Sequence, residues 1–251
     1  MKTLFGPSLV LEVQRGFFFV FSLGGFCMYD HERKEGLPKL DPNKTWPGMS
    51  TYGKDIDDCK AYLRGRSLDY NLAEANGWYP SRETGDFVLR LVIPAKTFAP
   101  EHVYWQARAI HAAALRYTSP KGPRHDALIY VEADPLGDMA RSAPSGWVVI
   151  VEGPMDALAA AECGYDGISI MGISPSISTL NRVKELVARR PSVVILDSEP
   201  EATSQGIFIS SFLNASGNRC RNVVLRNVKD LAAIKTTEER QAFLDASFWW
   251  L

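Results

Sequence analysis

The sequence predicts an α/β protein in which a parallel β-sheet is preceded by a smaller α+β region. From Trp147 onward, short apolar runs of strand length alternate with helical segments of about 10 to 15 residues. These runs lack an alternation of apolar and polar residues, which indicates strands that are buried on both faces. A Pro/Gly/Ser stretch at residues 143–146 separates them from two upstream strands of a different pattern.

Residues 1–58 are predicted to form an N-terminal extension or arm. Residues 31–58 are rich in Pro, Gly, Lys and Asp and show little periodicity, which favours a loop. The apolar run at 16–29 is too short and too interrupted by glycine to span a bilayer, so we expect no membrane partner. The four cysteines lack the spacing of zinc ligands or of a disulfide framework, which favours a reducing, cytoplasmic setting.

Residues 59–145 are predicted to form the α+β region. The segment CKAYLRGRSLDYNLAEANGWY has a helical pattern up to the Asn76-Gly77 stop. FVLRLVIPA and HVYWQARAI are typical of strands, and the alternation in the second indicates a half-exposed sheet. ALIYVEA is a further short strand before the predicted boundary.

Residues 146–251 are predicted to form the parallel sheet and its helices. The strands are WVVIVE, GISIMG, SVVILD and NVVLRN, and the helices between them are PMDALAAAECG, SISTLNRVKELVARR and EATSQGIFISSFLNAS. Such a succession is typical of right-handed crossovers between parallel strands.

Two of these strands end on acidic residues. Glu152 closes the first strand, and Asp197 closes the third and is followed by Glu199. If the two strands are neighbours, the acids meet at the carboxyl edge of the sheet, and Asp156 can reach the same cleft from the first turn of the next helix. Clustered carboxylates repel each other unless a cation neutralises them, and Mg²⁺ or Mn²⁺ takes such oxygen ligands. Each acid alone could instead cap a helix, so the prediction rests on the combination.

A local basic cluster is predicted in the α+β region. The chain has 28 basic and 29 acidic residues, so binding of nucleic acid has to come from local clustering. The candidates are Arg90, Arg108, Arg116, Lys121 and Arg124. A solvated strand face is the alternative for isolated arginines, and nearby aromatic residues could stack on bases or pack in the core.

The acidic segments resemble a known family. VVIVEGPMDALAAAECG is similar to the glutamate motif, and VVILDSEPEA to the aspartate motif, of the Toprim domain of bacterial-type DNA primases, topoisomerases and some nucleases. The resemblance implies acid-base chemistry or metal binding by Glu152, and Mg²⁺ binding by Asp197 and Glu199, where Glu199 replaces the usual second aspartate. NVKDLAAI resembles a primase segment and implies that Asp230 is a metal-site acid and Lys229 a phosphate contact.

The upstream half narrows the resemblance to primases. LRLVIPA, VYWQARAI and LRYTSPKGPRHDALIY resemble, in order and spacing, the basic subdomain that precedes Toprim in bacterial and phage primases, so that the match covers residues 85–235. It implies template or nucleotide contacts by Arg108 and Arg116, with Arg124 or His125 as a looser third match. The sequence contains neither a zinc-binding Cys/His set nor a G-x-x-x-x-G-K-[ST] phosphate loop.

The activity implied by this resemblance is that of a phage-type primase core. Such a core would make short RNA primers on single-stranded DNA from ribonucleoside triphosphates by Mg²⁺-dependent nucleotidyl transfer. The resemblance leaves open whether a separate replicative helicase is a partner. A Toprim nuclease would use the same acids for hydrolysis, and a non-catalytic replication protein would tolerate the change at Glu199.

Overall fold

The computed structural model describes residues 21–22, 25–26, 46–97, 103–120, 124, 126–137 and 146–249. The chain divides into two compact units, Met1–Asp41 and Pro42–Leu251. In the first unit, strands β1 (Phe21–Ser22) and β2 (Gly25–Phe26) pair in antiparallel fashion. The remaining part of the predicted arm up to residue 45, and the predicted basic residue Lys121, lie outside the described residues.

The second unit begins with two helices and an antiparallel sheet of four strands. The helices are α1 (Gly53–Arg64) and α2 (Tyr70–Ala75). The strands are β3 (Tyr79–Ser81), β4 (Arg90–Ala95), β5 (Tyr104–Ala109) and β6 (Tyr117–Thr118), and each pairs with the next in chain order. The first two strands predicted in this region, FVLRLVIPA and HVYWQARAI, are therefore present as β4 and β5 and are direct neighbours.

Two details of the predicted helical region are wrong. Residues 53–58 belong to α1 rather than to a loop, because Asp55 is buried and accepts hydrogen bonds from Arg82 and Ser50. The helix is also interrupted before residue 70. Ser67 has a positive φ of 55°, and the Asp69 side chain caps α2 by accepting a hydrogen bond from the backbone N–H of Asn71.

The second sheet of this unit has five strands in the order β11-β10-β8-β9-β7. They are β7 (Ile129–Val131), β8 (Val148–Val151), β9 (Asp166–Ser169), β10 (Ser192–Ile195) and β11 (Cys220–Asn222). The pairs β8 with β9, β10 with β8, and β10 with β11 are parallel, as predicted, whereas β7 runs antiparallel to β9. The last strand starts earlier than NVVLRN, because its ladder with β10 begins at Cys220.

Helices cover both faces of this sheet. They are α3 (Pro154–Glu162), α4 (Ile177–Val187), α5 (Pro200–Ala215) and α6 (Thr237–Phe248), and a short 3₁₀-helix spans Leu231–Ala233. Val149 and Val151 of β8 pack in one hydrophobic cluster with α3 and α6, and Val148 and Ile150 pack in another with α4 and α5. Alternate residues of one strand thus enter different cores, which confirms the predicted burial of both faces.

A glycine allows α3 to lie close to the sheet. A Cβ atom on Gly167 of β9 would lie 2.3 Å from the carbonyl oxygen of Ala157, so any larger residue would push the helix away. Pro154 occupies the first turn of α3, where backbone N–H groups have no acceptor within the helix, so proline costs no helical hydrogen bond there. The beginning of α3 is thereby fixed directly after the end of β8.

The α+β region and the five-stranded sheet share a core and a sheet. One hydrophobic cluster contains Leu63 and Leu91 together with Val149, and β7 joins the larger sheet although it precedes residue 146. Both predicted domains therefore belong to one compact unit, and a domain boundary between residues 145 and 146 stays a prediction. None of the helices among the described residues has the length and apolar character needed to cross a membrane.

Candidate active site at the carboxyl edge of the larger sheet

Two of the predicted acids emerge side by side from neighbouring strands. Strands β8 and β10 are adjacent, and Val151 is paired with Ile195 at their carboxyl ends. Glu152 follows directly after β8, and Asp197 follows two residues after β10. Their predicted convergence at one edge is therefore confirmed by the strand order.

Glu152 is held at this edge through its backbone. Its carbonyl oxygen accepts hydrogen bonds from the Ser169 hydroxyl at 2.8 Å and from the Gly172 N–H at 3.3 Å. The side-chain oxygen Oε2 is buried and has no hydrogen-bond partner among the described residues. Burial, and then the charges of Asp197 and Glu199, raise the pKa of Glu152 to about 7. A carboxyl group with such a pKa can take up or release a proton near neutral pH.

Lys229 approaches the acids from the segment after β11. Its Nζ lies 3.6 Å from Oδ2 of Asp197, and its backbone carbonyl accepts a hydrogen bond from the Ser198 N–H at 3.1 Å. Burial, and then the charge of Asp230, raise the pKa of Asp197. Because the side chain of Lys229 is more than half exposed, its amino group is also accessible to a ligand.

Asp156 and Asp230 complete the acidic group. Asp156 of α3 is only 8% exposed, and its Oδ1 accepts a hydrogen bond of 2.9 Å from the Ala232 N–H. Burial, and then the charge of Asp230, raise the pKa of Asp156 to about 7. Asp156 therefore anchors the segment that bears Asp230, whose own buried Oδ1 has no partner among the described residues.

Glu199 lies at the rim of the group. It is exposed and occupies the N-cap position of α5, but its side chain makes no capping hydrogen bond. Its charge nevertheless contributes to the raised pKa of Glu152. Each of the five predicted acids thus interacts electrostatically with at least two of the others at the carboxyl edge.

The donor chemistry of this edge fits a hard divalent cation. Within the described ranges, no group of three or more His, Cys, Asp and Glu side chains is arranged to hold a metal ion by itself. Mg²⁺, however, needs only one or two carboxylates when waters and substrate phosphates supply the other oxygens. The buried oxygens of Glu152 and Asp230 that lack partners are groups that such a cation would satisfy.

A basic and aromatic cluster lies beside the acids. The guanidinium groups of Arg66 and Arg108 both lie over the ring of Tyr62, each 5.8 Å from its centroid, and Arg108 lies 4.8 Å from the centroid of Tyr117. Arg66 lowers the pKa of Asp156, against the larger effects that raise it, so the charge of this cluster acts on the acidic edge.

Arg66 and Tyr62 were not among the predicted site residues. The available signal was the Arg64-Gly65-Arg66 segment at the end of α1, which lies upstream of the predicted basic cluster. Arg108 is 9% exposed, so the strand alternation that suggested a solvated side chain was misleading.

The other predicted basic residues have different surroundings. Arg116 is exposed next to β6, whose Tyr117 is paired with Arg108. Arg90 is fully buried, where it binds the Asp86 carboxylate and the carbonyl oxygen of Leu115, so we leave it out of the proposed binding surface. Arg124 donates a hydrogen bond to the carbonyl oxygen of Met171.

Comparison with solved structures identifies the fold. A DnaG primase catalytic domain bound to single-stranded DNA matches with a TM-score of 0.56 and 15% identity, over 76% of this chain and 70% of that one. The RNA polymerase domain of Mycobacterium tuberculosis primase DnaG matches with a TM-score of 0.56 and 16% identity, over 78% and 76%. The E. coli primase catalytic core matches with a TM-score of 0.52 and 16% identity, over 77% of each chain.

The chain has the fold of a primase catalytic core. Its five-stranded sheet has the predicted Toprim-like architecture, and the acids described above lie at the carboxyl edge of this sheet. No protein-family model and no curated protein sequence matches the chain. The likeness to primase cores therefore concerns the architecture, and the chemistry has to be argued from the residues.

Proposed function

We propose that this protein is a phage-type DNA primase core that makes short RNA primers on single-stranded DNA. The observation that supports this most directly is the closeness of two unlike clusters. The acids around Glu152 and Asp197 suit a cation, and Arg66 and Arg108 beside them suit phosphate groups. Nucleotidyl transfer from a triphosphate needs both kinds of group within one site.

Glu152 is assigned to the primer 3′-hydroxyl. Its pKa of about 7 and its buried Oε2, which no donor occupies, suit a general base that removes the hydroxyl proton. Asp197, Glu199 and Asp230 would hold Mg²⁺ or Mn²⁺, which when bound stabilises the charge on the triphosphate. Lys229, close to Asp197 and more than half exposed, would contact a phosphate oxygen.

The template and the nucleotide would lie along the basic cluster. Two of the similar structures are DnaG primases described as bound to single-stranded DNA and to a double-stranded oligomer with an overhang. We infer a comparable single-stranded template here, with Arg108 and Arg116 as phosphate contacts and ribonucleoside triphosphates as the second substrate. A separate replicative helicase would bring the template, and the reaction would take place in the host-cell cytoplasm.

A primer-synthesis assay tests this function. The protein is incubated with single-stranded DNA, Mg²⁺ and labelled ribonucleotides, with and without a helicase, and the products are resolved by length. Short labelled oligomers are expected. Degradation of the DNA instead would show a Toprim nuclease, and the absence of both products would favour a non-catalytic replication protein.

The metal site makes a prediction about Asp197. The parent protein should bind Mg²⁺ or Mn²⁺ weakly, and Asp197→Asn should abolish this binding, because it removes a charged ligand from the acidic group. Titration calorimetry with Mn²⁺ measures the affinity, and Asp134→Asn, in the turn after β7, serves as the control. Unchanged affinity in Asp197→Asn would remove this residue from the metal site.

The basic surface makes a prediction about Arg108 and Arg116. Replacing either by alanine should weaken binding of a single-stranded oligonucleotide and should lower the slope of log affinity against log salt by about one. Lys184→Ala, on the exposed part of α4, should leave both quantities unchanged. If the two arginine variants bind like the parent at several salt concentrations, the surface is only solvated.

A further inference from the structure

We propose that Tyr62 is a phosphate-binding residue whose ring holds Arg66 and Arg108 in place and whose hydroxyl donates a hydrogen bond to the bound phosphate. This inference rests on the proposed function, since it places the phosphate beside the acidic edge. It adds a hydrogen-bonding hydroxyl to a surface for which the sequence indicated only basic side chains and stacking aromatic rings.

The ring of Tyr62 explains how two cations stay together. Arg66 and Arg108 carry like charges, yet each guanidinium carbon lies 5.8 Å from the same ring centroid. The negative face of an aromatic ring attracts a guanidinium group at this distance. The ring therefore offsets part of the repulsion between the two arginines and restricts the directions in which they point.

The hydroxyl of Tyr62 lacks the hydrogen-bond partner that a buried hydroxyl normally has. It is buried without a hydrogen bond among the described residues, and the same holds for Nε of Arg66 and Nε of Arg108. Buried polar atoms without partners are uncommon in folded proteins, and here three of them belong to Tyr62 and to the two arginines that lie over its ring. The Tyr62 hydroxyl can donate, and the arginine atoms can only donate.

A set of donors with two positive charges selects one class of ligand. The ligand has to present several acceptor oxygens and negative charge, and a phosphate group does both. The nearby acid Asp156 does not fill this place, because its Oδ1 accepts from the Ala232 N–H and no hydrogen bond joins it to the three atoms. The phosphate could belong to a triphosphate tail or to the backbone of the template.

Two substitutions of Tyr62 separate its ring from its hydroxyl. Tyr62→Phe keeps the ring and removes only the donor, whereas Tyr62→Leu removes both. Binding of sodium tripolyphosphate, and separately of a deoxythymidine oligonucleotide, is measured by calorimetry without divalent cations at several salt concentrations. Tyr79→Phe is the matched control, because the Tyr79 hydroxyl donates to the Pro47 carbonyl oxygen elsewhere on the molecule.

We expect Tyr62→Phe to weaken binding of at least one probe by about tenfold, because one hydrogen bond to a charged group is lost. Its salt slope should equal that of the parent, since no positive charge is removed. Tyr62→Leu should bind more weakly still and show a lower slope, because the arginines lose their common support. The probe that responds identifies the source of the phosphate.

Parental affinity of Tyr62→Phe for both probes would overturn the role of the hydroxyl. Equal affinities and slopes for Tyr62→Phe and Tyr62→Leu would overturn the role of the ring. Circular dichroism and thermal melting establish that each variant is folded before it is compared. If Arg66→Ala and Arg108→Ala also bind both probes like the parent, the phosphate-binding surface of the proposed function is refuted, and not only the role of Tyr62.

Discussion

Replacing Glu152 by glutamine should remove nearly all primer synthesis while leaving the protein folded and able to bind DNA. Loss of a general base costs about 10²- to 10⁴-fold in rate. Glutamine keeps the size and polarity of the side chain but cannot accept the proton of a hydroxyl group. The binding surface around Arg108 and Arg116 is unaltered, so the affinity for single-stranded DNA should be retained.

The same substitution should raise stability in a pH-dependent manner. The folded-state pKa of Glu152, about 7, lies above the ordinary value of 4.5, so the folded protein binds this proton more tightly than the unfolded chain. The ionised side chain therefore destabilises the fold increasingly as the pH rises from about 4.5 to about 7, and by a constant amount above that. Glu152→Gln removes this penalty, so its gain in melting temperature should be larger at about pH 8 than at about pH 5.

Primer yield, oligonucleotide affinity and melting temperature are measured on parent and variant at both pH values. Gln205→Glu, at a partly exposed position near the middle of α5, is a control that adds a carboxylate to the same domain. A Glu152→Gln protein that unfolds would show a structural role for Glu152. Parental primer synthesis by this variant would instead refute the assignment of Glu152 to the reaction.

Replacing Arg240 by methionine should destabilise the protein by about 3–5 kcal/mol, because it leaves a buried carboxylate without its cation. The Arg240 side chain is fully buried, and its Nη1 lies 2.7 Å from Oε2 of Glu162, which is itself 6% exposed. Its Nη2 donates to the carbonyl oxygen of Ser67, and Glu162 also accepts a hydrogen bond from the Asp69 N–H. One ion pair therefore joins α3, α6 and the turn between α1 and α2.

A second substitution separates the unpaired charge from the lost packing. Adding Glu162→Gln to Arg240→Met should recover part of the loss, since the glutamine amide is neutral and its oxygen can still accept from Asp69. Urea unfolding of the parent, both single variants and the double variant gives the coupling free energy. A loss below about 1 kcal/mol for Arg240→Met would show that Glu162 finds water or another partner.

The convergence of Glu152 and Asp197 could be predicted because it follows from a general property of parallel sheets. Once two apolar strands are placed side by side, the residues after them share an edge. No comparable rule gives the position of Arg66, because its relation to Tyr62 and Arg108 depends on how α1 packs against the smaller sheet. Arg90 was predicted to be a binding residue but is buried. No local sequence pattern shows that Asp86 and the Leu115 carbonyl bind it within the fold.

The antiparallel strand β7 limits how the two halves of the site can move. Because Ile129–Val131 is hydrogen-bonded to β9, the basic half of the chain supplies an edge strand to the sheet that bears the acids. A hinge motion that separates the basic region, including β7, from the acid-bearing sheet would have to break the β7–β9 hydrogen bonds. We therefore do not expect catalysis to require closure of these two parts around the substrate. In the proposed reaction, the nucleotide, primer end and template would instead meet acids held on a continuous sheet, and exposed side chains such as Lys229 would make the adjustments.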